Sequence, residues 1–196
     1  MSGITFRFAP DKFVQATALL LDHVGPCTRL KIAKLLYLAD RHHLVRHGAP
    51  ILGDRYYRLP LGPVPSRALD LLEAAADLAA GDLELSPDPT SENLQRFIEI
   101  RNPQSRYAEY VARSGFKPDA LSQSEMGSLA QVAERHGTWT AIQLKDFTHR
   151  HHAWLKTAPS QEMDYLLFFV DEPEADPEAL RYLEFSQDDR ALLENL

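Results

Sequence analysis

Histidine supplies the first chemistry to consider. His42, His43 and His47 fall in one predicted helix, and His43 and His47 are four residues apart, the spacing at which two imidazoles can face one metal ion. His149, His151 and His152 lie far along the chain and could complete such a site across the fold. No cysteine or dedicated carboxylate set joins them, and zinc sites are usually marked by ligand clusters. The pattern therefore reads as surface histidines at a polar helix end together with a structural His149, and no metal is expected. Cys27 precedes a helix start, where the helix dipole can lower a thiol's pKa. His23 is separated from it by Gly25-Pro26, which leaves the pair without fixed geometry, and a nucleophile needs a positioned base. Cys27 thus reads as a small buried residue. No Gly-rich phosphate loop, Gly-x-Ser-x-Gly elbow or HExxH run occurs. The chain reads as a non-enzyme with no cofactor, a small metal- or thiol-dependent enzyme being the outlying alternative.

Binding chemistry is better represented. Asp54, Arg55, Tyr56, Tyr57 and Arg58 concentrate charge and aromatic surface in one connector, and Tyr and Arg dominate interface hot spots. Alternation along a strand sends neighbouring side chains to opposite faces. Asp54 and Tyr56 are then assigned to internal bracing, Asp54 against a Lys or Arg of the preceding helix, and Arg55, Tyr57 and Arg58 to a partner surface. Lys31, Lys34 and Arg41 form a basic stripe on the preceding helix, able to meet an acidic partner or the chain's own acidic end. Trp139 and Trp154 read as core anchors.

These residues need elements to position them. Phe13, Ala16, Leu20, Leu21 and Val24 share one helical face, which predicts a helix over 11–24 stopped by Gly25-Pro26. A second helix over 28–46, capped by Thr28 and closed by Gly48, is apolar almost all round between residues 30 and 39, as befits a buried central helix. Residues 51–61 predict an irregular strand, and Gly62-Pro63-Val64-Pro65 a rigid turn into a third helix over 66–80 capped by Ser66. Phe97, Ile98 and Ile100 suggest a strand that residues 107–111 could pair with. Helices are expected again over 124–136 and from Thr138 or Thr140 to 147, then an edge strand over 165–170. The fold class expected is mainly α (α+β), a single helical domain over 1–170 with a small antiparallel sheet or hairpin.

Composition sets outer limits. The 196-residue chain, 44% hydrophobic and 25% charged, suits one soluble domain. Its most apolar run, residues 30–39, is broken by Lys31 and Lys34 and falls short of the ~20 residues of a membrane span. With no basic start leading into a long apolar segment and one cysteine, a reducing cytoplasm is expected. Residues 162–196 hold eleven Asp/Glu against two Arg, a net charge of −9, whereas residues 1–161 carry +2. So little positive charge argues against nucleic-acid binding. The acidic segment 171–196, with two prolines and little apolar surface, is expected to be dispensable for folding.

Two stretches together carry a resemblance. Residues 31–72 contain KLLYLAD, then Gly48, Pro50, Ile51, Gly53, Asp54 and Tyr56, then Gly62-Pro63-Val64. Residues 121–154 place Gly137, Leu144, Thr148, His149 and Trp154 in a second pattern. In this order they resemble the Panacea (SocA-like) antitoxin domain, with Leu61 where that family often has an aromatic. The resemblance implies an antitoxin that neutralises a cognate protein toxin by direct binding, and makes Asp54, Gly62, Pro63, His149 and Trp154 structural motif residues. An adaptor delivering a bound protein to a protease or chaperone is the alternative, hinted at by the acidic segment.

Overall fold

The computed structural model describes residues 4–81 and 88–193, with side chains described through residue 185. Pro10 sits in the first turn of helix α1 (Pro10–Val24), where its missing N–H costs nothing, and Gly25 ends it at φ 75°. Helix α2 (Arg29–His47) follows the two-residue strand β1 (Cys27–Thr28). Thr28 stands at the cap position but makes no side-chain capping bond, and Gly48, left-handed at φ 73°, closes the far end.

Strands β2 (Tyr56–Leu59) and β3 (Gly62–Pro65) form a hairpin in which Tyr57 faces Val64 and Leu59 faces Gly62. Helix α3 (Ser66–Ala80) leaves it directly. The predicted pairing of the 97–100 and 107–111 stretches is present as β4 (Ile98–Arg101) and β5 (Glu109–Ala112), and β1 joins to give the order β1-β5-β4. Helix α4 (Pro89–Phe97), not expected, precedes β4: Asp88 accepts from the N–H of Thr90 at 2.8 Å and Pro89 occupies the first turn. The reading of residues 82–87 lies outside the described residues.

Helices α5 (Gln123–His136) and α6 (Ala141–Thr148) each start with a capping box, Ser122 with Glu125 and Thr140 with Gln143. A short helix α7 (His152–Lys156) and a 3-10 turn (Tyr165–Phe168) follow. The edge strand expected over 165–170 is thus a helical turn, which buries Tyr165 and Phe168 together. The edge pairing occurs earlier instead: Arg58 donates its N–H to Gln161 O at 3.0 Å and Met163 donates to Tyr56 O at 2.7 Å.

Every α2 residue from Ile32 to Val45 is buried, because α1, α3, α5, α6 and β3 surround it. The remaining side is covered by helix α8 (Pro177–Leu193), which buries Ala179 and Leu183 and is tied in by Asp176 N–H to Val45 O at 2.7 Å. The acidic segment therefore has apolar surface to bury, contrary to the sequence expectation. The fold is mainly α with a minor antiparallel β part.

Candidate partner-binding site

The β2–β3 hairpin rests on buried carboxylates. Asp40, fully buried on α2, accepts from the N–H of Ile51 at 3.0 Å, of Leu52 at 2.8 Å and from the Tyr56 hydroxyl at 2.9 Å. Burial pushes its carboxyl up to about 7 against those donors. Asp54 accepts from the N–H groups of Arg55, Arg67 and Ala68 at 2.7 to 3.0 Å. It caps α3 from twelve residues before the helix start, which explains why Ser66 makes no capping bond and corrects the expected pairing with a Lys or Arg of α2. The Tyr165 hydroxyl donates to Asp54 O, and Tyr37 shares a 3.0 Å hydrogen bond with His151 Nδ1.

At the hairpin's other strand the two family-like stretches meet. Lys34 is wholly buried and donates to Pro63 O, and desolvation lowers its ammonium to about 7. Gly62 has φ 94°, and a Cβ added there would lie 3.0 Å from both Lys34 Nζ and Thr148 Oγ1 and 3.1 Å from the His149 ring. Only glycine suits that backbone in that space. His149 stacks on Trp154 with ring centroids 4.1 Å apart, the Arg58 guanidinium lies over the Trp154 ring at 4.4 Å, and Trp154 Nε1 donates to Leu59 O at 3.3 Å. Arg58 also donates to Thr157 O at 2.5 Å.

The basic stripe is corrected by this packing. Lys34 and Arg41 are buried, so neither can touch a partner in this state. Arg41 donates to Phe168 O at 3.2 Å and pairs with Asp171 at 2.8 Å and Glu172 at 3.0 Å, so it holds the chain's own acidic end. Lys31 is half-buried and donates to Gly137 O at 2.6 Å. The acidic segment, the sole hint of an adaptor role, is engaged here with α2.

The histidines are corrected as well. His42 and His43 are buried rather than at the surface. His42 bonds Ser128 and Gln131, and His43 bonds Ala49 O and Ser124, so both nitrogens of each ring are occupied; of the three histidines on α2 only His47 is exposed. Cys27 is buried, and desolvation raises its thiol against the pull of Lys31. Trp139 and Trp154 are half-buried supports and not core anchors.

What remains at the surface is the outer edge of the hairpin. Arg55 is exposed and pairs with Glu162, its guanidinium 5.7 Å from the Tyr57 ring centroid. Tyr57 and Arg58 are half-buried, Leu61 is 53% exposed at the tip, and Leu155 is 54% exposed on the adjoining α7. Asp40, Leu155 and Glu162 were not read from sequence as parts of this region. Asp40 within KLLYLAD was the available signal, an acid inside an otherwise apolar helix.

A family model for the SocA-like antitoxin, Panacea domain, matches residues 32–155, a span that contains the hairpin, Asp54 and the His149–Trp154 pair. The chain belongs to this family of antitoxin-like proteins. No curated protein and no solved structure matches it.

Proposed function

We propose that the protein is an antitoxin that neutralises a cognate protein toxin by direct binding, with the β2–β3 hairpin edge as the contacting surface. Family membership supports the class of function. The observation that carries the site is a hairpin held from beneath by Asp40, Asp54 and Lys34 while Arg55, Tyr57 and Leu61 face outward. A preformed surface binds with less ordering cost, and Tyr and Arg anchors lengthen the life of a complex. Covering the toxin's active or substrate-binding region would suffice to silence it.

Co-expression with the product of the adjacent reading frame tests this. That product should be toxic alone and harmless beside this chain. Arg55→Glu and Tyr57→Ala should abolish growth rescue and weaken binding by at least ~30-fold while melting like the parent. Arg58→Glu should also abolish rescue, but its Thr157 and Trp154 contacts make its melt the necessary control. Full binding and rescue by all three folded variants would place the interface elsewhere.

A further inference from the structure

A groove of about 470 Å³ runs between α2, α5, residues 147–151 and residues 171–173. Leu38, Val132 and Phe147 give it apolar lining, and its charged lining is Arg41, Arg135 and Arg150 together with the carboxylates of Asp171 and Glu172. The three arginines are not equally satisfied. Arg41 is neutralised by Asp171 and Glu172. Among the described residues Arg135 pairs only with Glu174, at 3.7 Å, and that carboxylate also pairs with Arg46. Arg150 lies over the Phe147 ring at 5.5 Å and, among the described residues, pairs with no carboxylate.

We infer that this groove binds a small organic oxyanion, a phosphate monoester or a polycarboxylate, between the guanidinium groups of Arg135 and Arg150, with its carbon skeleton against Val132 and Phe147. A guanidinium presents a planar fork that matches two oxygens of either group, and such bonds are the stronger kind. The volume lies within the usual range for small-ligand sites, and an apolar lining with a few convergent charges is their usual composition. The neighbouring imidazoles are lowered chiefly by burial, with the arginines adding to it. Burial holds His136 below its ordinary value with Arg135 adding to the effect, and His151 is lowered to about 3 by burial and then by Arg41. This inference is independent of the antitoxin reading, since neither arginine belongs to the hairpin surface.

Titration calorimetry on the full chain, with glycerol 3-phosphate and with citrate as probes at low salt, tests it. Saturable binding of at least one probe is expected, and which one binds separates phosphate from carboxylate recognition. Arg135→Ala and Arg150→Ala should each weaken it by about tenfold or more, whereas Arg101→Ala, an exposed side chain at the end of β4, should not. Both groove arginines are exposed, so the variants should melt like the parent, which a thermal scan checks. No saturable binding of either probe, or binding that survives both groove substitutions, overturns the inference.

Discussion

Two buried cations seven residues apart on α2 have been treated very differently by the fold. Arg41 receives two carboxylates and a carbonyl from residues 168–172, which meet most of its hydrogen-bonding capacity. Lys34 receives one carbonyl, Pro63 O, and its charge is correspondingly weakened, with its pKa down to about 7. The difference follows from chain path: α2 turns Arg41 toward the acidic end and Lys34 toward a Gly-Pro turn that offers only backbone. A buried charge is kept where it is paired and becomes titratable where it is not. Arg41 thereby ties the C-terminal part of the chain to the core, and Lys34 supports the hairpin.

The largest effect should come from removing the partners of Arg41. Truncation after Val170 leaves that guanidinium buried without its carboxylates and deletes the buried Ala179 and Leu183. Stripping a buried charge of its partners typically costs about 3–5 kcal/mol, which in a chain of this size lowers the melting midpoint by on the order of 10 °C. A midpoint within a degree or two of the parent would show that the acidic end contributes little.

Lys34 should reveal itself through pH. Its folded pKa, about 7, lies below the roughly 10.4 of an unfolded lysine, so between these values the unfolded chain holds the extra proton. Stability should then rise with pH, by about 2 kcal/mol from pH 7 to 9, in urea melts of the parent. Lys34→Met should flatten that rise. A parent curve that is level or falling over this window would mean that Lys34 remains an ordinary charged lysine.

Gly62→Ala tests the contact between the two regions of family resemblance. At φ 94°, with Lys34, Thr148 and His149 around it, a methyl group should cost about 1–3 kcal/mol in chemical denaturation. An unchanged denaturation midpoint would show that the turn can relax away from Lys34. The smallest stability effect should be that of Arg55→Glu, whose ion pair with Glu162 is solvent-exposed. Its thermal midpoint should match the parent even as partner binding is lost.

Much of the scaffold was legible because it depends on local rules. The periodicity of α1, the apolar breadth of α2, the glycine stops at Gly25, Gly48 and Gly81 and a threonine cap at 138 or 140, which the structure gives to Thr140, are properties of short segments. The candidate site was legible only in part. Arg55 and Tyr57 were identified by residue type, and Arg55 is exposed and Tyr57 half-buried, whereas Lys34, Arg41, His42 and His43 look in sequence like any polar stripe and are buried. Helix α4 was missed because its nine residues are too few for periodicity to stand out beside two prolines.

The sequence by itself determined where helices start and stop, that α2 would be central, and which family pattern the chain follows, because hydrophobic spacing, caps and motif order need no distant partner. Only the tertiary structure decided the fate of each charge. Asp54 caps a helix that begins twelve residues later, Arg41 meets carboxylates 130 and 131 residues away, and Lys34 meets a carbonyl 29 residues away. The free energy of a buried charge depends on what surrounds it in space, and separation along the chain carries little information about that.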